Sequence, residues 1–132
     1  MDEERLQERI ADYLKALAQL EKAVALKKND IVRDSVIQRF EFTHELGWKM
    51  LKLKLEAEGL PVRTPRETVQ EALQAGLIED GNLWTDMQKK RNLTSHTYHE
   101  KLADEVYDFI VGQGISLFRQ LAEKCRAWQT NA

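Results

Sequence analysis

Both prolines of this chain, Pro61 and Pro65, fall in one short stretch, so every segment outside it is free to run as unbroken helix. The apolar pattern uses that freedom. Leu6, Ile10, Tyr13, Leu17, Leu20 and Val24 recur at steps of three and four, which draws one stripe along a helix from about Glu3 to Lys27. Asn29 and Asp30 interrupt the pattern, with Asp30 placed to cap a second helix from about Ile31 to Glu58. The stripe of that helix is Ile37, Phe40, His44, Gly47, Trp48, Leu51 and Leu55, and Gly59 is placed to end it.

Past the prolines, Thr64, Pro65 and Glu67 spell a helix start: a capping hydroxyl, a proline at the first helical position and a carboxylate three residues after the cap. This third helix stops near Gly76. Asp80 and Gly81 make a turn, and a fourth helix follows with Leu83, Trp84 and Met87, carrying Lys89, Lys90 and Arg91 toward its dipole-favoured end. A last helix runs from about Glu100 to Trp128, with Leu102, Val106, Phe109, Ile110, Leu117, Leu121 and Cys125 inward. Gly112 and Gly114 inside it cost about 1 kcal/mol each relative to alanine, which marks a kink or a close helix approach. No sustained period-two alternation, internal repeat or linker appears. The expectation is an all-α, up-and-down bundle of four to five helices in a single domain over residues 1–132.

At 132 residues with 42% hydrophobic and 32% charged side chains, such a chain can bury a core without staples. The net charge of −2 supplies no global basic field, so any nucleic acid must meet a local patch. The single cysteine, Cys125, excludes an intrachain disulfide and reads as a buried small hydrophobe. MDEERLQERI holds no apolar signal core, and the apolar run near Val106 to Phe118 is broken by Asp108 and Gln113. No membrane span is expected, and the cytoplasm is the natural location.

Several chemistries drop out. There is no P-loop, and Gly112-Gln113-Gly114 has no strand before it. No Gly-Ser pair exists, so the signature of a nucleotidyltransferase active site is missing. His96 and His99 have Glu100 as their only local carboxylate, short of the three protein ligands a catalytic metal usually needs. No metal or cofactor is expected.

Two constellations remain. Arg39, Glu41, His44 and Glu45 on the second helix are either a solvated face plus one satisfied core histidine, or a polar pocket within the bundle. The second constellation, Arg91-Asn92-Leu93-Thr94-Ser95-His96-Thr97-Tyr98-His99, gathers a cation, imidazoles, a phenol and hydroxyls at a helix-to-helix connection. Histidine moves protons near neutral pH, and arginine can hold a phosphate by two hydrogen bonds. The plain alternative is that Arg91 and His96 serve a helix carboxyl end electrostatically. In one continuous helix, residues five apart lie about 140° apart around the axis, so this pair would not share a face. They converge if the helix ends between them, or if two copies of the chain pool their residues.

RFEFTHELGWKMLK (Arg39 to Lys52), PRE (Pro65 to Glu67), GLIED (Gly76 to Asp80) and W-x6-RNLTSHTY (Trp84 to Tyr98) occur in order. In these blocks the chain resembles the nucleotidyltransferase substrate-binding protein family of the HEPN superfamily, from the second helix onward. Where that family commonly has an aromatic and an alanine, this chain has His44 and Gly47.

The resemblance implies a homodimeric bundle and a separately encoded, small nucleotidyltransferase partner. It implies that Arg91 and His96 form the R-x4-H centre of a metal-independent endoribonuclease, with Asn92 after the arginine. A related toxin–antitoxin group extends the motif to R-x4-H-x-Y, which here reaches Tyr98, the tyrosine to which the partner would transfer AMP and so silence the toxin. Lys89 and Lys90 could add phosphate contacts, and His44 and Glu41 could line a nucleotide-binding cleft. Physical chemistry agrees: RNA carries its own nucleophile, the 2′-hydroxyl, so cleavage needs a proton shuttle and a cation rather than a metal. The competing expectation is a non-catalytic subunit that presents substrate or nucleotide to the partner enzyme. A purely structural module is the third.

Overall fold

The computed structural model describes residues 2–130. Its elements are α1 (Asp2–Val24), α2 (Asp30–Ala57), α3 (Pro65–Gln74), α4 (Gly81–Leu93), a 3₁₀ turn (Thr94–His96), α5 (Glu100–Phe109), a π turn (Ile110–Gly114) and α6 (Ile115–Arg126). No strand occurs among the described residues. Because α5, the π turn and α6 run on without a break, the described residues form five helical rods, an all-α bundle.

The α1 stripe is buried through Leu6, Ile10, Tyr13, Leu17, Leu20 and Ala23, while Val24 is only half-buried. It packs along α2, where Gly47 lets the two helices approach: a Cβ there would lie 3.1 Å from Tyr13 Cε1. The Tyr13 hydroxyl in turn donates to the Phe118 carbonyl at 2.7 Å, so a buried phenol pins α1 to α6. Tyr13, Phe40, Trp84 and Phe118 meet as rings at 5.8–6.3 Å in tilted and edge-on pairs at the centre of the core. Fully burying such a ring is worth about 1.5–3 kcal/mol, which makes this cluster a major source of the bundle's cohesion.

Local signals set the helix ends. The second helix is capped by Asn29 rather than Asp30: Asn29 is extended and its Oδ1 accepts from Val32 N at 2.8 Å. Asp30 sits one residue inside, where its charge favours the amino-terminal dipole. Thr64 caps α3 as expected, accepting from Glu67 N at 3.1 Å, while the Glu67 carboxylate reaches back to Arg63 N at 3.0 Å. Gly59 and Gly76 take positive φ just past α2 and α3, the conformation glycine adopts without penalty.

The glycine pair of the last helix marks a change of winding. A Cβ on Gly112 would meet nothing within 4 Å, and one on Gly114 would make ordinary contact, 3.4 Å from Phe109 and 3.8 Å from Met87 Sδ. Neither glycine is therefore demanded by a close helix approach; both belong to the π turn, with Gly112 on its open side. Leu102 is half-buried; Ala103 and Tyr107 take the inward positions near it. Cys125 is buried, and burial pushes its thiol up to about 11, consistent with an inert packing role.

Candidate functional site

Helix α4 ends at Leu93, between Arg91 and His96. The chain then tightens into the 3₁₀ turn and a bend before α5 begins at Glu100. Thr94 and Thr97 hold this corner. The buried Thr94 hydroxyl donates to the Arg91 carbonyl at 2.8 Å and accepts from Arg91 Nη1 at 3.2 Å; the Thr97 hydroxyl donates to the Thr94 carbonyl at 2.9 Å. The hydroxyls that the sequence strings through this segment are thus used to close the helix end and to orient the guanidinium.

His96 and Tyr98 stand on the outside of the corner, their rings 6.3 Å apart and edge-on, and Tyr98 stacks at 4.5 Å against His99. Tyr98 is 76% exposed, unusual for a large ring and open to any reagent that approaches the corner. Among the described residues no hydrogen bond joins Arg91 to His96 within one chain.

Four consecutive residues of α4 fan out, because each step turns about 100° around the axis. Arg91 lies toward α2, where its charge is felt by His44 and Glu45. Lys90 lies toward α5, paired with Glu105 at 3.6 Å and resting over the Phe109 ring. Lys89 and Asn92 line a recess between α3 and α4. The expected support set of Lys89, Lys90 and Asn92 is therefore spread over two faces, neither of them the one Arg91 occupies.

His44 is buried, and its Nε2 has no hydrogen-bond partner among the described residues. The expectation of a satisfied core histidine is overturned: Phe40 packs beside the ring at 6.1 Å, and no donor or acceptor reaches the nitrogen. Burial, and then the charge of Arg91, push the imidazole down to about 4, so it is neutral at physiological pH. Glu45 behaves oppositely. Partial burial disfavours its charge, but hydrogen bonds from Trp48 and Lys49, with the charges of Lys49 and Arg91, outweigh that and hold the carboxyl below its usual range. Arg39 donates to the Gln19 carbonyl at 2.6 Å, tying α2 to α1, and Glu41 is half-buried. The second-helix quartet is therefore not one pocket: His44 and Glu45 share the neighbourhood of Arg91, and Arg39 faces another helix.

Arg33 was not marked out by the sequence. Its guanidinium is buried at the start of α2, bonded to Glu100 at 2.6 Å, Asp34 at 3.1 Å and Asp104 at 3.3 Å. The hydrogen bond it donates to Glu100, with the other surrounding carboxylates, raises its pKa further, and the same contact lowers that of Glu100. Lys28 adds a 3.0 Å pair to Asp104. Because Glu100 opens α5 directly after His99, this cluster anchors the downstream side of the Arg91–Tyr98 corner to α2. Among the described residues no group of three His, Cys, Asp or Glu side chains is arranged to hold a metal, and no helix is long and apolar enough to cross a membrane.

The fold is that of a class of small helical bundle seen in solved structures. A protein from Thermus thermophilus superposes with a TM-score of 0.79 at 36% identity, covering 86% of this chain and 98% of that one. A Haemophilus influenzae protein, whose structure was described as the fold of a substrate-binding domain of a nucleotidyltransferase, superposes at 0.68 with 26% identity over 94% and 98% of the two chains. A Haemophilus influenzae Rd relative named "Probable ribonuclease HepT" is 35% identical over 107 residues, which span 71% of this chain and 73% of the relative. Residues 8–127 match the family described as nucleotidyltransferase substrate binding protein like, and the chain belongs to that family.

Proposed function

We propose that this protein is a metal-independent endoribonuclease that works as a homodimer and is silenced by a nucleotidyltransferase partner through AMP transfer to Tyr98. The observation that carries the reading is the helix end between Arg91 and His96: it leaves a guanidinium oriented by Thr94 and, beyond it, an exposed imidazole in edge contact with an exposed phenol.

The chemistry follows from those groups. The 2′-hydroxyl of a ribose attacks the adjacent phosphorus, forming the 2′-O–P bond of a cyclic phosphate and breaking the P–O5′ bond. His96 takes the 2′-hydroxyl proton, and an imidazolium returns a proton to the departing 5′-oxygen. Arg91 holds the non-bridging oxygens as negative charge builds on the phosphorane. In a dimer seam, Arg91 of one copy and His96 of the other can face the same phosphate, which accounts for their lack of direct contact within one chain. An AMP group on Tyr98 would set a phosphate beside the His96 ring, where the scissile phosphate must lie, and exclude it by bulk and like charge.

The alternative, a non-catalytic subunit presenting nucleotide or substrate to the partner enzyme, draws support from the family's description. One experiment separates the two. Purified protein is incubated with cellular RNA in EDTA beside His96→Ala. Cleavage by the parent and none by the variant is the expected result. No cleavage by either, with intact mass showing Tyr98 unmodified, would refute the ribonuclease and leave the presenting subunit.

A further inference from the structure

The recess between α3 and α4 has a volume of about 630 Å³, within the range of small-molecule sites. Its composition is unlike that of the surface around it. Pro65, Val69 and Leu73, successive positions on one face of α3, form an apolar floor. Gln88 and Asn92, one turn apart on α4, face it with amides, and Gln70 adds a third. Arg66 and Lys89 stand on opposite walls.

Three observations say what such a groove takes. First, no carboxylate lines it, although Asp and Glu number 22 in the chain. Second, neither Arg66 nor Lys89 forms an ion pair among the described residues, in contrast to Lys90, whose charge is committed to Glu105. Arg66 is also the second residue of α3, so its own N–H has no intrahelical acceptor and points with the helix dipole's positive end. Third, the Gln88 Oε1 atom is buried and has no partner among the described residues. A buried amide oxygen without a donor is unfavourable, and a rotation of the side chain toward the groove would let a ligand N–H satisfy it.

An apolar floor for a flat ring, an acceptor for its N–H and two unpaired cations for an anion describe one ligand chemistry. We propose that the α3/α4 groove binds a nucleotide unit, its heterocycle on Val69 and Leu73 with an N–H donated to Gln88, and its phosphate between Arg66 and Lys89. The groove follows α4 from Thr85 to Asn92 and so reaches the end of that helix, on a different face from Arg91. A strand lying in it would have to pass around the end of α4 to reach the corner. That path rests on the ribonuclease reading; the chemistry of the groove does not.

The test is fluorescence anisotropy with a 5′-labelled, 2′-O-methyl hexaadenylate. This probe has no free 2′-hydroxyl and cannot be cut, so binding is read whether or not the protein is a nuclease. The variant Arg66→Ala/Lys89→Ala should bind about tenfold more weakly, with a slope of log affinity on log salt shallower by about 0.7, the value for one phosphate no longer neutralised on a single strand. Gln88→Leu should weaken binding about fivefold with the salt slope unchanged. The control Arg5→Ala/Lys27→Ala removes two exposed charges on and just after α1 and should bind as the parent does. Circular dichroism confirms that each variant is folded.

Parent-like binding by either groove variant, or a loss in the double variant no larger than in the control, overturns the proposal. Competition then distinguishes the source. Displacement by AMP at concentrations matching the unlabelled hexamer identifies a free mononucleotide, and displacement by the hexamer alone identifies a polymer. Loss of RNA cleavage on His96→Ala, with hexamer binding intact, keeps the outcome for the corner separate from the outcome for the groove.

Discussion

His44 should make this protein acid-sensitive in a narrow and measurable window. In the unfolded chain its imidazole protonates near 6.5, the ordinary value, whereas in the fold burial and then the Arg91 charge hold it at about 4. The folded-state pKa is the lower one. Below pH 6.5 the unfolded state therefore binds a proton that the folded state refuses, and stability falls until the folded state also protonates near pH 4. Stability from this group is fully present above pH 6.5. At about 1.36 kcal/mol per pH unit, a displacement from 6.5 to about 4 removes roughly 2 kcal/mol between pH 7 and pH 5, and about 3 kcal/mol in all.

The comparison protein is His44→Phe, which keeps an aromatic ring beside Phe40 but cannot titrate. Deleting a buried nitrogen that lacks a partner should also stabilise the variant at pH 7, by about 1 kcal/mol. Urea titrations of both proteins at pH 7 and pH 5 supply the numbers, since every other titrating group is common to the pair. The parent should lose about 2 kcal/mol more than the variant over that interval. Equal losses would show that the imidazole titrates alike in both states and would refute the argument.

Two further outcomes follow from the same geometry. Arg91→Ala should raise the His44 pKa, read from the imidazole proton shifts in an NMR titration; an unchanged value would mean that the guanidinium does not act on the ring. Gly47→Ala should destabilise the protein by about 1–3 kcal/mol in thermal or urea unfolding, despite alanine's better helix propensity. The new methyl would press at 3.1 Å on a Tyr13 ring whose hydroxyl is fixed to Phe118, so the ring cannot retreat.

What the sequence made legible was whatever depends on near neighbours. Thr64-Pro65-Glu67 announces the start of α3 because a cap needs only residues three or four apart. The choice between Asn29 and Asp30 was one position out because both side chains can cap, and only the backbone conformation decides. The Arg91–Tyr98 corner stood out as a motif, and α4 does end between Arg91 and His96, at Leu93, although no hydrogen bond joins the two side chains within one chain.

Features that depend on distant partners stayed hidden. Arg33 carries no signal in the sequence, because its shortest bond is to Glu100, 67 residues away. Nothing in the stripe of α2 distinguishes a satisfied histidine from the unpartnered His44. The division of Lys89, Lys90, Arg91 and Asn92 among three faces follows from helix winding alone, but which neighbour waits on each face does not. The α3/α4 groove belongs to that second kind of information.

The π turn in the last helix bears on how this chain can change length. A turn closed by bonds to the fifth residue takes up one residue more than an α turn, while α5 and α6 on either side keep their own winding. Ile110–Gly114 is thus a stored insertion, with Gly112 as its open, contact-free member. Removing Gly112 would let the turn relax to α geometry, with Phe118, Leu121 and Cys125 still facing inward. A deletion one or two turns further along would instead rotate every later side chain by about 100° and turn that apolar edge toward water. Among the positions of this helix, the one where evolution can add or drop a residue is the one already wound to hold it.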